Sequence, residues 1–230
     1  MSDEISTILK QAKTDARVEA FLKFLQKNAK KLIYIFSAVF AILLIIFAVK
    51  IYQKNMAQKY SYMLHQAIVY QQSGDNENAK KELEKITLST SAPNGVKSLA
   101  SLRLAAFLIV ENDIESAANL FGEVNNCRFC DAYIRDLAGL LLTKTMISTK
   151  MENLNEEELI AKIKKIISKA KPLKGEISLQ LANLYLYKGD LESAYKIFTE
   201  ISESEKYSEV LKEKAKDGAQ IVVSNGYEKK

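Results

Sequence analysis

Residues 32–49 read LIYIFSAVFAILLIIFAV, eighteen positions without a charge, and no other feature limits so strongly what this chain can fold into. At about 1.5 Å per residue such a stretch makes roughly 27 Å of helix, close to the hydrocarbon thickness of a bilayer. A helix buried in a soluble core seldom needs every face apolar. A cleaved signal peptide has a short basic start and a small-x-small site. Here thirty-one residues come before the block, and Ala48-Val49-Lys50-Ile51-Tyr52 at its exit contains no such site. A retained single-pass anchor over residues 32–50 is therefore expected. Lys and Arg are held on the cytoplasmic side during insertion. Lys13, Arg17, Lys23, Lys27, Lys30 and Lys31 stand before the block, against Lys50, Lys54 and Lys59 after it. That asymmetry predicts a cytoplasmic N-terminus (residues 1–31) and a domain of residues 51–230 on the far side. In a bacterium this is an inner-membrane protein with a periplasmic domain; in a eukaryote the domain faces a lumen or the exterior.

The segment before the anchor has its own pattern. Ile5, Ile8, Leu9 and Ala12, then Val18, Phe21, Leu22 and Leu25, recur at helical spacing and give one apolar face. Such a face suits the inner membrane surface or a cytoplasmic partner; a helix that simply leads into the anchor is the alternative.

Outside the block the chain is polar, and its breakers are few: 8 Gly and 2 Pro in 230 residues. Many-stranded sandwiches and barrels lean on both residues for their connections, so an all-α fold is expected. One histidine, two cysteines and no tryptophan leave little with which to build a histidine-based catalytic site or a multi-ligand metal site. No Gly-rich phosphate loop, HExxH or GxSxG occurs. The expectation is a binding or scaffold protein, not an enzyme, with no cofactor, metal or small-molecule substrate. Nucleic acid is also not expected. Seven basic residues face four acidic ones before Leu32, and 26 face 24 from Lys50 on. Lysines alternate with glutamates in runs such as Lys80, Lys81, Glu82, Glu84 and Lys85, as on a solvated helix face.

The rest of the chain repeats. Ala67, Tyr70, Ala79 and Leu83 have internal spacings of three, nine and four, and so do Ala105, Leu108, Ala117 and Phe121, and Ala182, Tyr185, Ala194 and Phe198. Between the halves of each set stand Gly74-Asp75, Asn112-Asp113 and Gly189-Asp190, a residue tolerant of positive φ followed by a helix-capping side chain. Glu77, Glu115 and Glu192 follow in the first turn, where the helix dipole favours an acid. Each set thus reads as a helical hairpin whose paired alanines mark the close approach of two helices. The sets begin 38 and then 77 residues apart, so a further unit is expected between the second and third. Its candidates are Ala138 and Leu141, and, after an extended turn over residues 150–156, Ala161 in a second helix closing near Pro172. A final helix from Tyr207 to Val223 caps the stack. No Gly or Pro interrupts residues 32–73, so the anchor is expected to run into the first hairpin as one helix.

These residues resemble the tetratricopeptide repeat, which has a small residue and a Tyr in its first helix and Ala and Phe in its second. The early Trp of that family is absent, and the spacing here is longer than its period of about 34 residues. The whole plan is an all-α chain with a single N-terminal transmembrane helix and about four irregular hairpins plus a capping helix. It is similar to the tetratricopeptide-like inner-membrane family known as the ancillary subunit of the SecYEG translocon. That resemblance implies an accessory role in protein export, with translocon subunits, periplasmic chaperones or exported chains as partners. A related resemblance, to the repeat domain of cell-division coordinators, implies an envelope division or peptidoglycan role.

Cys127-Arg128-Phe129-Cys130 is the one small motif with reactive potential. Its place between the second and third hairpins suits a local disulfide in an oxidising compartment. Two other readings stay open: a membrane-tethered thiol oxidoreductase, although no βαβ pattern is present, and a metal site, which needs two more ligands. His65, the lone histidine, reads as a surface or packing residue. Tyr52, Tyr60 and Tyr62 suit a membrane-interface belt or helix packing. Ser61, Ser98 and Ser178 are expected on helices that line a protein-binding groove.

Overall fold

The chain was analysed as a computed structural model, which describes residues 2–149 and 155–228, without the side chains of residues 2–26, 29, 32 and 35. Among the described residues there are nine helices and no strand. The fold is all-α. The apolar face of the N-terminal segment and most of the turn expected over residues 150–156 lie outside the described residues.

Helix α1 (Ser2–Gln72) has no Gly or Pro after its start and runs without a break. The chain divides into two compact units, Met1–Asn55 and Met56–Lys230, and α1 contributes to both. In the first unit α1 holds a stretch long and apolar enough to cross a membrane, with a mean hydropathy of 2.1 over its most apolar window and none of that window buried. Phe36, Val39, Ile42, Leu44 and Ile45, on all sides of the helix, are exposed.

The second unit begins with the end of α1 and continues through α2 (Asn76–Leu88), α3 (Asn94–Val110), α4 (Ile114–Asn125), α5 (Ala132–Thr149), α6 (Glu156–Lys169), α7 (Lys174–Lys188), α8 (Leu191–Glu203) and α9 (Glu209–Ser224). Three joints have one geometry. Gly74, Asn112 and Gly189 sit at φ of +82°, +63° and +79°, a left-handed turn that ends a helix without steric cost for glycine and tolerably for asparagine. The next amide reaches back in each case: Asp75 N–H to Tyr70 O at 2.9 Å, Asp113 N–H to Leu108 O at 2.8 Å, Asp190 N–H to Tyr185 O at 3.0 Å. Each aspartate then turns its carboxylate onto the following helix, accepting from the N–H of Asn78, Ser116 and Ser193 at 3.1–3.2 Å. Glu77, Glu115 and Glu192 occupy the first turns.

The helices so joined pack as hairpins. Ala67, Ala79, Ala105, Ala117, Ala182 and Ala194 are all buried, with Leu83, Phe121, Tyr185 and Phe198 beside them and Tyr70 and Leu108 half-buried. The end of α1, α2 and α3 share one core around Leu64, Leu83, Ile86 and Leu104. Phe121 anchors a small core between α3, α4 and α5, and a larger one joins α5 to α9. Tyr60 belongs to the first of these, its hydroxyl 2.6 Å from Ser89 Oγ, so it is a packing residue, while Tyr52 and Tyr62 are exposed.

The third hairpin departs from the pattern, and the expectation for Ala161 is corrected. Ala138 is fully buried as expected and Leu141 is half-buried, but Ala161 lies exposed on α6, which buries Ile163 and Ile166 instead. With two branched side chains in place of an alanine, α6 cannot approach α5 as α4 approaches α3; α5 packs chiefly on α4 and α7. The small residue that permits contact is on the other helix. A Cβ on Gly139 would stand 2.8 Å from Ile166 Cγ2 and 2.7 Å from Asn125 Nδ2. The buried carboxylate of Asp136 fixes the turn after α6, accepting from Lys171 N–H at 2.7 Å and Leu173 N–H at 3.1 Å. Helix α9, capped by Ser208, closes the unit against α8 and α7, and Phe198 fills the space left by Gly218.

Candidate protein-interaction surface

Two features of the second unit stand out as candidate sites. The first is the link between α4 and α5, where Cys127 and Cys130 form a disulfide across a Cα–Cα distance of 5.4 Å. The two sulfurs differ in access. Cys130 is buried, its Sγ 2.9 Å from Ser98 Oγ, while Cys127 is half-buried and Phe129 between them is 82% exposed. Ser98 is therefore not a groove position: it is buried behind Cys130, a correction to the expectation that it lines an open surface. Cys127 follows the C-terminus of α4, where the dipole disfavours an anion, and Asp131 next to Cys130 spends its carboxylate on the N–H groups of Tyr133 and Ile134 at the start of α5.

The second feature is a cavity of about 260 Å³ among α6, α7, α8 and the turn before α9. Ile167, Leu181, Ile197 and Ile201 make its apolar wall. Lys164, Lys174, Glu200 and Tyr207 are among its polar lining. Burial, then Glu200 and Glu176, push the Tyr207 hydroxyl above the ordinary phenol range, so it stays protonated as a donor. Lys164 also lies 5.8 Å from the centre of the Tyr185 ring. Ser178 lines this cavity, and Ser61 is exposed on α1.

The surface beside the cavity was missed in the reading of overall charge. Residues 159–175 contain Lys162, Lys164, Lys165, Lys169, Lys171 and Lys174 and no Asp or Glu. All six lysines are exposed, and among the described residues none forms an ion pair. Among the described residues five lysines elsewhere do pair, some along one helix, as Lys81 with Glu77 and Lys85 with Glu82, and some between helices. Lys80 reaches Glu111 after α3, and this acid raises the Lys80 pKa. The signal lay in the sequence as a seventeen-residue window without an acid.

His65 is exposed on α1. Among the described residues no three His, Cys, Asp or Glu side chains come together as metal ligands.

A helical-hairpin protein with one apolar helix of membrane-spanning length is what these features define. Residues 3–221 match the family described as Protein of unknown function (DUF2659), and the chain belongs to that family. No curated protein matches the chain.

Proposed function

We propose that this protein is a membrane-anchored scaffold whose hairpin domain binds other proteins. The observation that carries this reading is the threefold use of one helix-ending turn with one capping aspartate, the mark of an array made from repeated hairpins, whose side chains fix the partner while the frame stays constant. The fully exposed apolar helix supports a single-pass anchor. The basic flank before it supports a cytoplasmic N-terminus, and the disulfide fits a domain in an oxidising compartment such as the periplasm. On the resemblance to the ancillary translocon subunit, the scaffold serves protein export at the inner membrane, linking the Sec translocon to periplasmic chaperones or exported chains.

Alkaline phosphatase fused after Lys59 and after Lys230 should be active at both sites; inactivity at both reverses the orientation. A photo-crosslinking residue at Ser61 or Ser178 should capture translocon subunits or envelope chaperones. Capture of cell-wall synthases instead moves the protein to envelope division, and capture of nothing at either position removes the scaffold reading.

A further inference from the structure

The lysine face and the cavity beside it lie on the same helices, and together they describe a partner. Of the 26 basic and 24 acidic residues from Lys50 on, six basic and no acidic ones fall in residues 159–175, so positive charge gathers on the part of α6 that follows its three opening glutamates and on the turn after it. The exposed side of α6 from Ala161 onward is Ala161, Lys162, Lys164, Lys165, Ser168 and Lys169. Such a face attracts carboxylates, phosphates or an anionic bilayer alike. The cavity separates them. The apolar side of α6 (Ile163, Ile166 and Ala170) is buried in the core and is not free to enter a membrane. What remains accessible is Ile167 and Ile197, half-buried in the cavity lining beside the buried Leu181 and Ile201, a concave surface into which a side chain can project and a flat bilayer cannot. At about 260 Å³ the cavity is smaller than the roughly 300–1,000 Å³ of small-molecule sites, and matches one large side chain.

We propose that this face holds a protein segment in which one large apolar side chain, seated in the cavity, is flanked by Asp or Glu paired with Lys164, Lys174 and the lysines of α6. Glu200 is the single acid in the lining, and it disfavours an acid on the segment beside it. Each exposed pair contributes little by itself, so recognition needs several at once together with the buried side chain. This inference rests on the scaffold reading and names the chemistry of its partner.

The test uses the full chain in phosphatidylcholine nanodiscs and fluorescence anisotropy of a labelled peptide with one Phe between runs of Glu. Two controls carry Lys for Glu, or Ala for Phe. The Phe–Glu peptide should bind at least ~10-fold tighter than either control and weaken as salt rises. K164E/K174E should reduce its affinity ~10-fold by charge, and S178F should reduce it comparably by filling the cavity, each with wild-type helical content by circular dichroism. Equal binding of the Ala control, or unchanged affinity in both variants, overturns the proposal. Displacement of the peptide by excess phosphatidylglycerol vesicles also overturns it, in favour of a membrane surface. Crosslinking at Ser61 in K164E/K174E keeps the two readings apart. If wild type fails to bind the peptide while envelope proteins are still captured from Ser61, the segment proposal falls and the scaffold stands.

Discussion

Gly218 and Gly122 both sit inside helices, and alanine should move the stability of this protein in opposite directions at the two. Helix propensity alone favours alanine over glycine by about 1 kcal/mol at each. At Gly122 in α4 a new Cβ meets nothing within 4 Å, so the full gain is expected. At Gly218 in α9 the same atom would stand 2.5 Å from Phe198 Cε1 and 2.7 Å from Cδ1 and Cζ. That ring is fully buried with Ala194 and Ile201 in the core that holds α8 and α9 together, so it has no solvent side to move towards. Overpacking costs about 1–3 kcal/mol, and contact with three ring atoms of an immobile residue puts this case at the upper end. Net of propensity, G218A should lose about 2 kcal/mol. For a domain of this size 1 kcal/mol moves Tm by roughly 2–4 °C. Thermal circular dichroism of the full chain in detergent should therefore show G218A melting about 4–8 °C below wild type and G122A about 2–4 °C above it. Hydrogen exchange should place the G218A loss in α8 and α9. A G218A protein stabilised as much as G122A would refute the packing argument, because propensity would then be the only force acting at both positions.

Three further outcomes follow from the same structure. D190A removes the cap on α8 and should cost about 1 kcal/mol, as should D113A on α4, with near-additive loss in the double variant because the two caps share no partner; denaturant titration checks both. The Asn78 side chain and backbone N–H lower the Asp75 pKa, so its contribution to α2 is complete above the ordinary carboxylate range and is lost as pH falls through and below it; hydrogen exchange at Asn78 across acid pH should show the turn opening, whereas D75N should remove most of that dependence. Thr143 is fully buried with no partner for its Oγ1, so T143V should raise stability by about 1 kcal/mol in chemical unfolding, and a loss of that size would mean the hydroxyl is satisfied after all.

The parts of this fold that were legible in the sequence are those set by local chemistry. Gly74-Asp75, Asn112-Asp113 and Gly189-Asp190 each determine a turn within six residues, and the structure closes all three with the same hydrogen bonds. The buried alanines followed from spacing, since two helices joined by a short turn meet at a fixed register. The third hairpin was less legible because its joint is an insertion and carries no Gly-Asp pair. Without that marker the register of α6 slipped, and Ala161 was assigned the place that Ile163 and Ile166 fill. Ser98 was misread for another reason: whether a helix face looks outward depends on a later segment, here the loop that brings Cys130 over it. The lysine face was hidden by averaging, because a nearly neutral domain can still hold six lysines and no acid in one seventeen-residue window.

The shared turn also bears on the order in which this protein acquires its structure. Each of the three marked hairpins has a turn closed by contacts between residues close in the chain, and the first completes its core when α3 has been added. Domains dominated by such short-range contacts fold quickly and from any starting point. A growing chain therefore adds structure from the α1–α3 core onward, and the locks between hairpins come later: Cys130 against Ser98, Asp136 on the turn after α6, Phe198 under Gly218. Assembly proceeds as a sequence of small additions, and a partner present during synthesis meets the α1–α3 core while the lysine face is still being built.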